Sequence, residues 1–179
     1  MTQFNTGVDK NSPMYQQNLV SSARYNLLAV LIFTAVNLVM LLTGSDSYFL
    51  FSATLPYYLT YFGYMFDHFI LSTFTLTGLV MAAVFLGGVL LCWLLSKKHS
   101  SWFIVGLVLM GIDALAMVVL MLLTGSFMEW LLDIVFHGWV IFSLSRGIAA
   151  AAKLKSMPEQ IQYTLQMEPE QENTTVDIE

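Results

Sequence analysis

The chain has 179 residues, of which 57% are hydrophobic and only 11% charged. Soluble globular domains carry about a quarter charged residues, so the composition belongs to the membrane class and points away from an ordinary soluble enzyme. The net charge of −5 says little about partners, because six of the twelve acidic residues fall in the last 21 positions. Cys92 is the single cysteine, so no internal disulfide can form.

Residues 1–24 are polar and predict a cytoplasmic N-terminal segment, in which Pro13 could open a short interfacial helix over Pro13–Arg24. The membrane domain is expected over 25–157. Its first span is about 25–43, ended by the turn residues Gly44-Ser45-Asp46-Ser47. With no A-x-A site after it, this span reads as an uncleaved helix rather than a signal peptide.

Tyr48–Phe66 is uncharged, and nine of its nineteen residues are aromatic, with Pro56 and Gly63 as breaks. Tyrosine favours the membrane–water boundary, so 48–68 is predicted as an outer interfacial segment. The alternative is a re-entrant loop, whose backbone would need protein cover. The second span follows at about 74–96, closed by Lys97-Lys98-His99. The third is 102–124, and Gly125-Ser126 turns tightly into the fourth at 127–147. The acidic stretch 158–179 carries no basic residue and is expected to be a disordered cytoplasmic tail.

All seven Lys and Arg residues lie in the N-terminal segment, in the 97–99 loop or at and after the end of the fourth span; the 44–68 and 125–126 connections have none. The positive-inside rule then places both termini in the cytoplasm. The expected fold is an all-α, four-helix transmembrane bundle, N-in/C-in, with the aromatic segment between spans 1 and 2. Met-Leu-Leu-Thr-Gly-Ser occurs at 40–45 and again at 121–126, which raises the question of a duplicated hairpin. Gly78/Ala82 and Ala83/Gly87 put small residues four apart on the second span, as close helix approach requires.

No phosphate loop, Cys-x-x-Cys pair, His-Glu-x-x-His or nucleophile elbow is present, and the basic residues form no patch for nucleic acid. What remains is polarity inside the spans. Asp113 sits at the middle of the third span, where an aspartate costs roughly 2.5–3.5 kcal/mol and requires a partner, a proton or water. Folding the chain about Gly125-Ser126 brings His137 to the same depth, about 18 Å below the turn at 1.5 Å per residue. Glu129, Asp133 and His137 are spaced by four and share a helix face. With Asn37, Asp67 and His68 as additional lining, they make a candidate polar track opening outward.

Three readings of this track stand open. Asp113 and His137 hold the hairpin together as hydrogen-bonded glue. Or the carboxylates and imidazoles form a site for ion or proton translocation or small-ligand binding, with Asp113, His137, Asp133 and Glu129 at its centre. Or His68, Asp113, Asp133 and His137, with Asp67, hold a metal for an intramembrane hydrolase. The second is the working function; a non-catalytic membrane scaffold or accessory subunit and the hydrolase are its alternatives. No cofactor is predicted apart from that metal ion, and the balance is against an enzyme. Expected partners are the lipid bilayer and a homo-oligomer or larger membrane complex, and not nucleic acid.

The Asn37-containing first span and Tyr48-Phe49-Leu50-Phe51-Ser52-Ala53-Thr54-Leu55-Pro56-Tyr57-Tyr58 resemble small uncharacterised multi-pass membrane proteins of Gram-positive bacteria, over about the first third of the chain. The resemblance implies a bacterial plasma membrane and no activity.

Overall fold

A computed structural model describes residues 10–45, 49, 51–67, 73–125 and 127–158. The expected disorder of the acidic tail therefore falls, apart from Pro158, outside the described residues, as does His68. Among the described residues five helices follow one another: α1 (Pro13–Leu42), α2 (Thr54–Asp67), α3 (Phe74–Leu95), α4 (Trp102–Thr124) and α5 (Phe127–Lys155). No strand occurs among the described residues. Four of the helices, all but α2, are long and apolar enough to cross a membrane.

Their outward faces are apolar. Val80, Val84 and Leu91 of α3, Val108, Leu115 and Leu122 of α4, and Leu131 and Val135 of α5 are all exposed. A soluble protein rarely leaves such continuous apolar surface uncovered. Lipid is the solvent that suits it, so by length, composition and surface the chain is a multi-pass membrane protein.

Pro13 opens α1 at a position where its missing N–H is not needed, and the Ser12 hydroxyl accepts a hydrogen bond from the Tyr15 N–H. The helix then runs without a break through Arg24 into the apolar stretch, 30 residues in all, so no separate interfacial helix forms. It packs along the equally long α5. Gly147 brings the two backbones so close that a Cβ there would strike Ala23, and Asn26 donates to the Ser143 hydroxyl at 2.6 Å. Past the apolar stretch, Arg146 donates to the Tyr15 hydroxyl and Lys153 to Asn11. The beginning of α1 and the end of α5 thus share one end of the bundle with the α3–α4 connection and its Lys97 and Lys98.

At the opposite end the repeated hexapeptide has a local explanation. Gly44 (φ +73°) and Gly125 (φ +69°) both adopt the left-handed conformation that ends a helix. The Ser45 N–H bonds to the Met40 carbonyl and Gly44 to Leu41, while Gly125 bonds to Met121. These are helix-ending caps that favour glycine, so the motif needs no duplication to account for it.

Pairs α1–α5, α5–α4, α4–α3 and α3–α1 make contact in turn, and the core runs through Ala23, Leu27, Val30, Phe85, Val89, Met110, Val140 and Leu144. Helix α2 lies beside the half of α3 nearest the Gly44/Gly125 end. Thr60 of α2 is level with Gly78, and Gly63 with Phe74 and Thr75. Its C-terminus points to that end of the bundle, and its N-terminus reaches mid-height.

Candidate functional site

A chain that breaks its helix inside an apolar bundle must still satisfy its backbone N–H groups. Between α1 and α2 the N–H groups of Phe49, Ala53, Thr54 and Leu55 are met by side chains of two of the long helices, α1 and α4. Asn37 is fully buried and acts as a bracket on Phe49: its Oδ1 accepts from the Phe49 N–H at 2.8 Å, and its Nδ2 donates to the Phe49 carbonyl at 2.7 Å. The same Nδ2 donates to the Ser52 hydroxyl at 2.7 Å. Thr34, one turn earlier on α1, accepts from the Ala53 N–H at 2.8 Å while donating to the Val30 carbonyl. Phe51 takes φ +74°, a costly conformation for a residue with a Cβ, and sets its ring edge-on to Phe136.

The next two donors go to Asp113. Its Oδ2 accepts from the Thr54 N–H at 3.0 Å and its Oδ1 from the Leu55 N–H at 2.6 Å. Pro56 follows and carries no N–H to satisfy. A carboxylate from the middle of α4 therefore caps α2, where the free N–H groups and the helix dipole both favour negative charge.

His137 completes the arrangement. Its Nε2 lies 2.7 Å from Asp113 Oδ2, and its Nδ1 lies 2.7 Å from the Asp133 backbone carbonyl one turn earlier in α5. A carbonyl can only accept, so Nδ1 carries a proton. One further proton is shared between Nε2 and Oδ2. The two backbone N–H groups that Asp113 also receives stabilise negative charge on its carboxylate. Asp113 is 0% and His137 1% exposed.

The depth match expected between Asp113 and His137 is therefore a direct contact. Asp133 lies beside it and is 6% exposed; its Oδ1 has no partner among the described residues, and neither does the buried Thr54 hydroxyl. Glu129 is two turns from His137 by its place on α5, about 12 Å along the axis. Asn37 does not join the pair but holds the chain ahead of it. Asp67 ends α2, thirteen residues and about 20 Å from the capped end. Among the described residues no three His, Cys, Asp or Glu side chains gather as a metal site would need.

Thr34 was visible in the sequence only as an interruption of an apolar run. Its spacing of three from Asn37, which puts both on one helix face, is the signal that would have joined them. Replacing Thr34 with Val keeps the shape but leaves the Ala53 N–H buried without an acceptor. Thermal unfolding in detergent should show a loss of about 1–3 kcal/mol, with the exposed Thr43→Val as an unaffected control.

Comparison of the chain with protein families, with curated proteins and with solved structures gives no match.

Proposed function

We propose that the chain is a non-catalytic membrane scaffold or accessory subunit in which Asp113 and His137 form a static latch. One observation carries this reading: the buried Asp113 carboxylate accepts the Thr54 and Leu55 N–H groups that begin α2 and also meets His137 Nε2. A translocation site needs a group that can release its partners to a passing ion. Asp113 is instead committed to ending a helix, and releasing it would orphan two buried N–H groups.

In this reading α2 is a re-entrant half-helix rather than a segment lying on the surface, and its backbone break is covered as a break within the bilayer must be. The cationic end of the bundle faces the cytoplasm, with both termini, as the positive-inside rule favours. The opposite end presents Phe62, Tyr64, Phe66 and Phe74, all exposed, as an aromatic surface for a partner in a larger complex or for lipid headgroups.

A second reading is favoured by Asp133, whose unpartnered Oδ1 and the nearby unpartnered Thr54 hydroxyl suit a bound water, proton or small cation. Proton and cation flux into proteoliposomes separates the two. The scaffold reading expects the purified protein to match protein-free liposomes. Flux that Asp133→Asn abolishes, with the fold retained, would establish the transport reading instead.

A further inference from the structure

At the cationic end, α1 and the end of α3 enclose a cavity of about 320 Å³ lined by Ser21, Arg24, Tyr25, Trp93 and Lys97. Two of the five lining residues are cations and none is acidic. The Arg24 Nε is buried and has no hydrogen-bond partner among the described residues, and the guanidinium lies 6.0 Å from the centre of the Trp93 ring. At that distance the ring face attracts the cation, and the guanidinium keeps donors for an anion in the cavity. Ser21, Tyr25 and Lys97 add further donors. The cavity is lined by hydrogen-bond donors and positive charge, the chemistry that recognises an anion.

Its position limits which anion. Arg24 is the last charged residue before the apolar part of α1, and Lys97 the first after the apolar part of α3. Both therefore stand where lipid phosphates lie in a bilayer. Tyr25 is exposed, as are Leu90 and Leu94, which share the Trp93 and Lys97 side of α3 by their helical spacing, so an apolar surface continues from the cavity. We infer that this cavity binds the phosphate of an anionic phospholipid, with Arg24 and Lys97 as its charge partners and the acyl chains lying along α3. Basic pockets between transmembrane helices suit such headgroups. A free phosphate would satisfy the same donors, but it would gain nothing from the apolar surface beneath. The inference does not depend on whether the Asp113 latch is static.

Native mass spectrometry of the full-length protein, released from detergent with equal amounts of phosphatidylglycerol and phosphatidylcholine, tests it. Phosphatidylglycerol should be retained preferentially. Arg24→Gln and Lys97→Gln should each weaken that preference about fivefold, as removal of one interfacial charge implies. Lys97 is exposed, so its variant reports even if loss of Arg24 disturbs the fold. Equal retention of the two lipids, or a preference that Lys97→Gln leaves unchanged, would overturn the inference. Displacement of the lipid by millimolar inorganic phosphate would assign the cavity to a soluble anion and overturn the lipid as its occupant.

Discussion

Asp113→Asn is expected to lower the unfolding free energy by about 3–5 kcal/mol, the loss that follows when one partner of a buried ion pair is removed. The substitution is nearly isosteric, so packing does not account for the cost. Asparagine keeps one acceptor oxygen where aspartate has two. If that oxygen faces Leu55, the amide NH₂ faces the Thr54 N–H and the His137 ring; if it is flipped, Leu55 loses its acceptor. Either way a buried donor meets a donor. His137→Gln should cost less, since the two backbone N–H groups keep the carboxylate they bind. Thermal or denaturant unfolding in detergent gives the magnitudes. Amide exchange at Thr54 and Leu55 gives the location: protection there should fall in Asp113→Asn while the middle of α4 stays protected. Unchanged stability would mean that the carboxylate is not what holds the start of α2.

The expected effect shows why part of this arrangement was legible in the sequence and part was not. The four long helices follow from apolar runs of the right length bounded by charge. For α3 and α4 the expected bounds differ from the structure by at most a residue, because Lys97-Lys98 and Gly125 end them sharply. The Asp113–His137 contact could be found by depth alone because a tight turn fixes the register of α4 against α5. Helix α1 extends further toward the N-terminus than its hydrophobicity indicates, since its first turns are stabilised by α5 and not by lipid.

The start of α2 was hidden for a different reason. An uncharged aromatic stretch has the composition of an interfacial belt, and composition does not register that residues 53–55 need hydrogen-bond acceptors. The demand appears on other helices, as Thr34, Asn37 and Asp113. Each looks like an isolated polar interruption of an apolar span. Considered together, three buried acceptors at similar depth imply backbone donors that must come from a break in some helix.

Gly78→Leu should be the most damaging substitution on α3, costing about 3 kcal/mol, at the upper end of what overpacking usually incurs. Gly78 lies directly against the Leu59 carbonyl and the Thr60 Cα of α2, so even a Cβ would overlap backbone that cannot rotate away. Gly63 has the reciprocal relation, with the Phe74 carbonyl against it, and the two glycines together let α2 and α3 touch backbone to backbone. A leucine at 78 must push α2 outward along its length, which draws Thr54 and Leu55 away from Asp113. The loss should therefore appear as exchange at those amides as well as in the unfolding midpoint. Gly87→Leu is the control on the same helix, because a Cβ there meets nothing within 4 Å, and it should leave stability nearly unchanged. Combined with Asp113→Asn, Gly78→Leu should cost less than the sum of the two, since both release the same helix and it can be released only once. Full additivity would show that the latch and the glycine contact act on α2 independently.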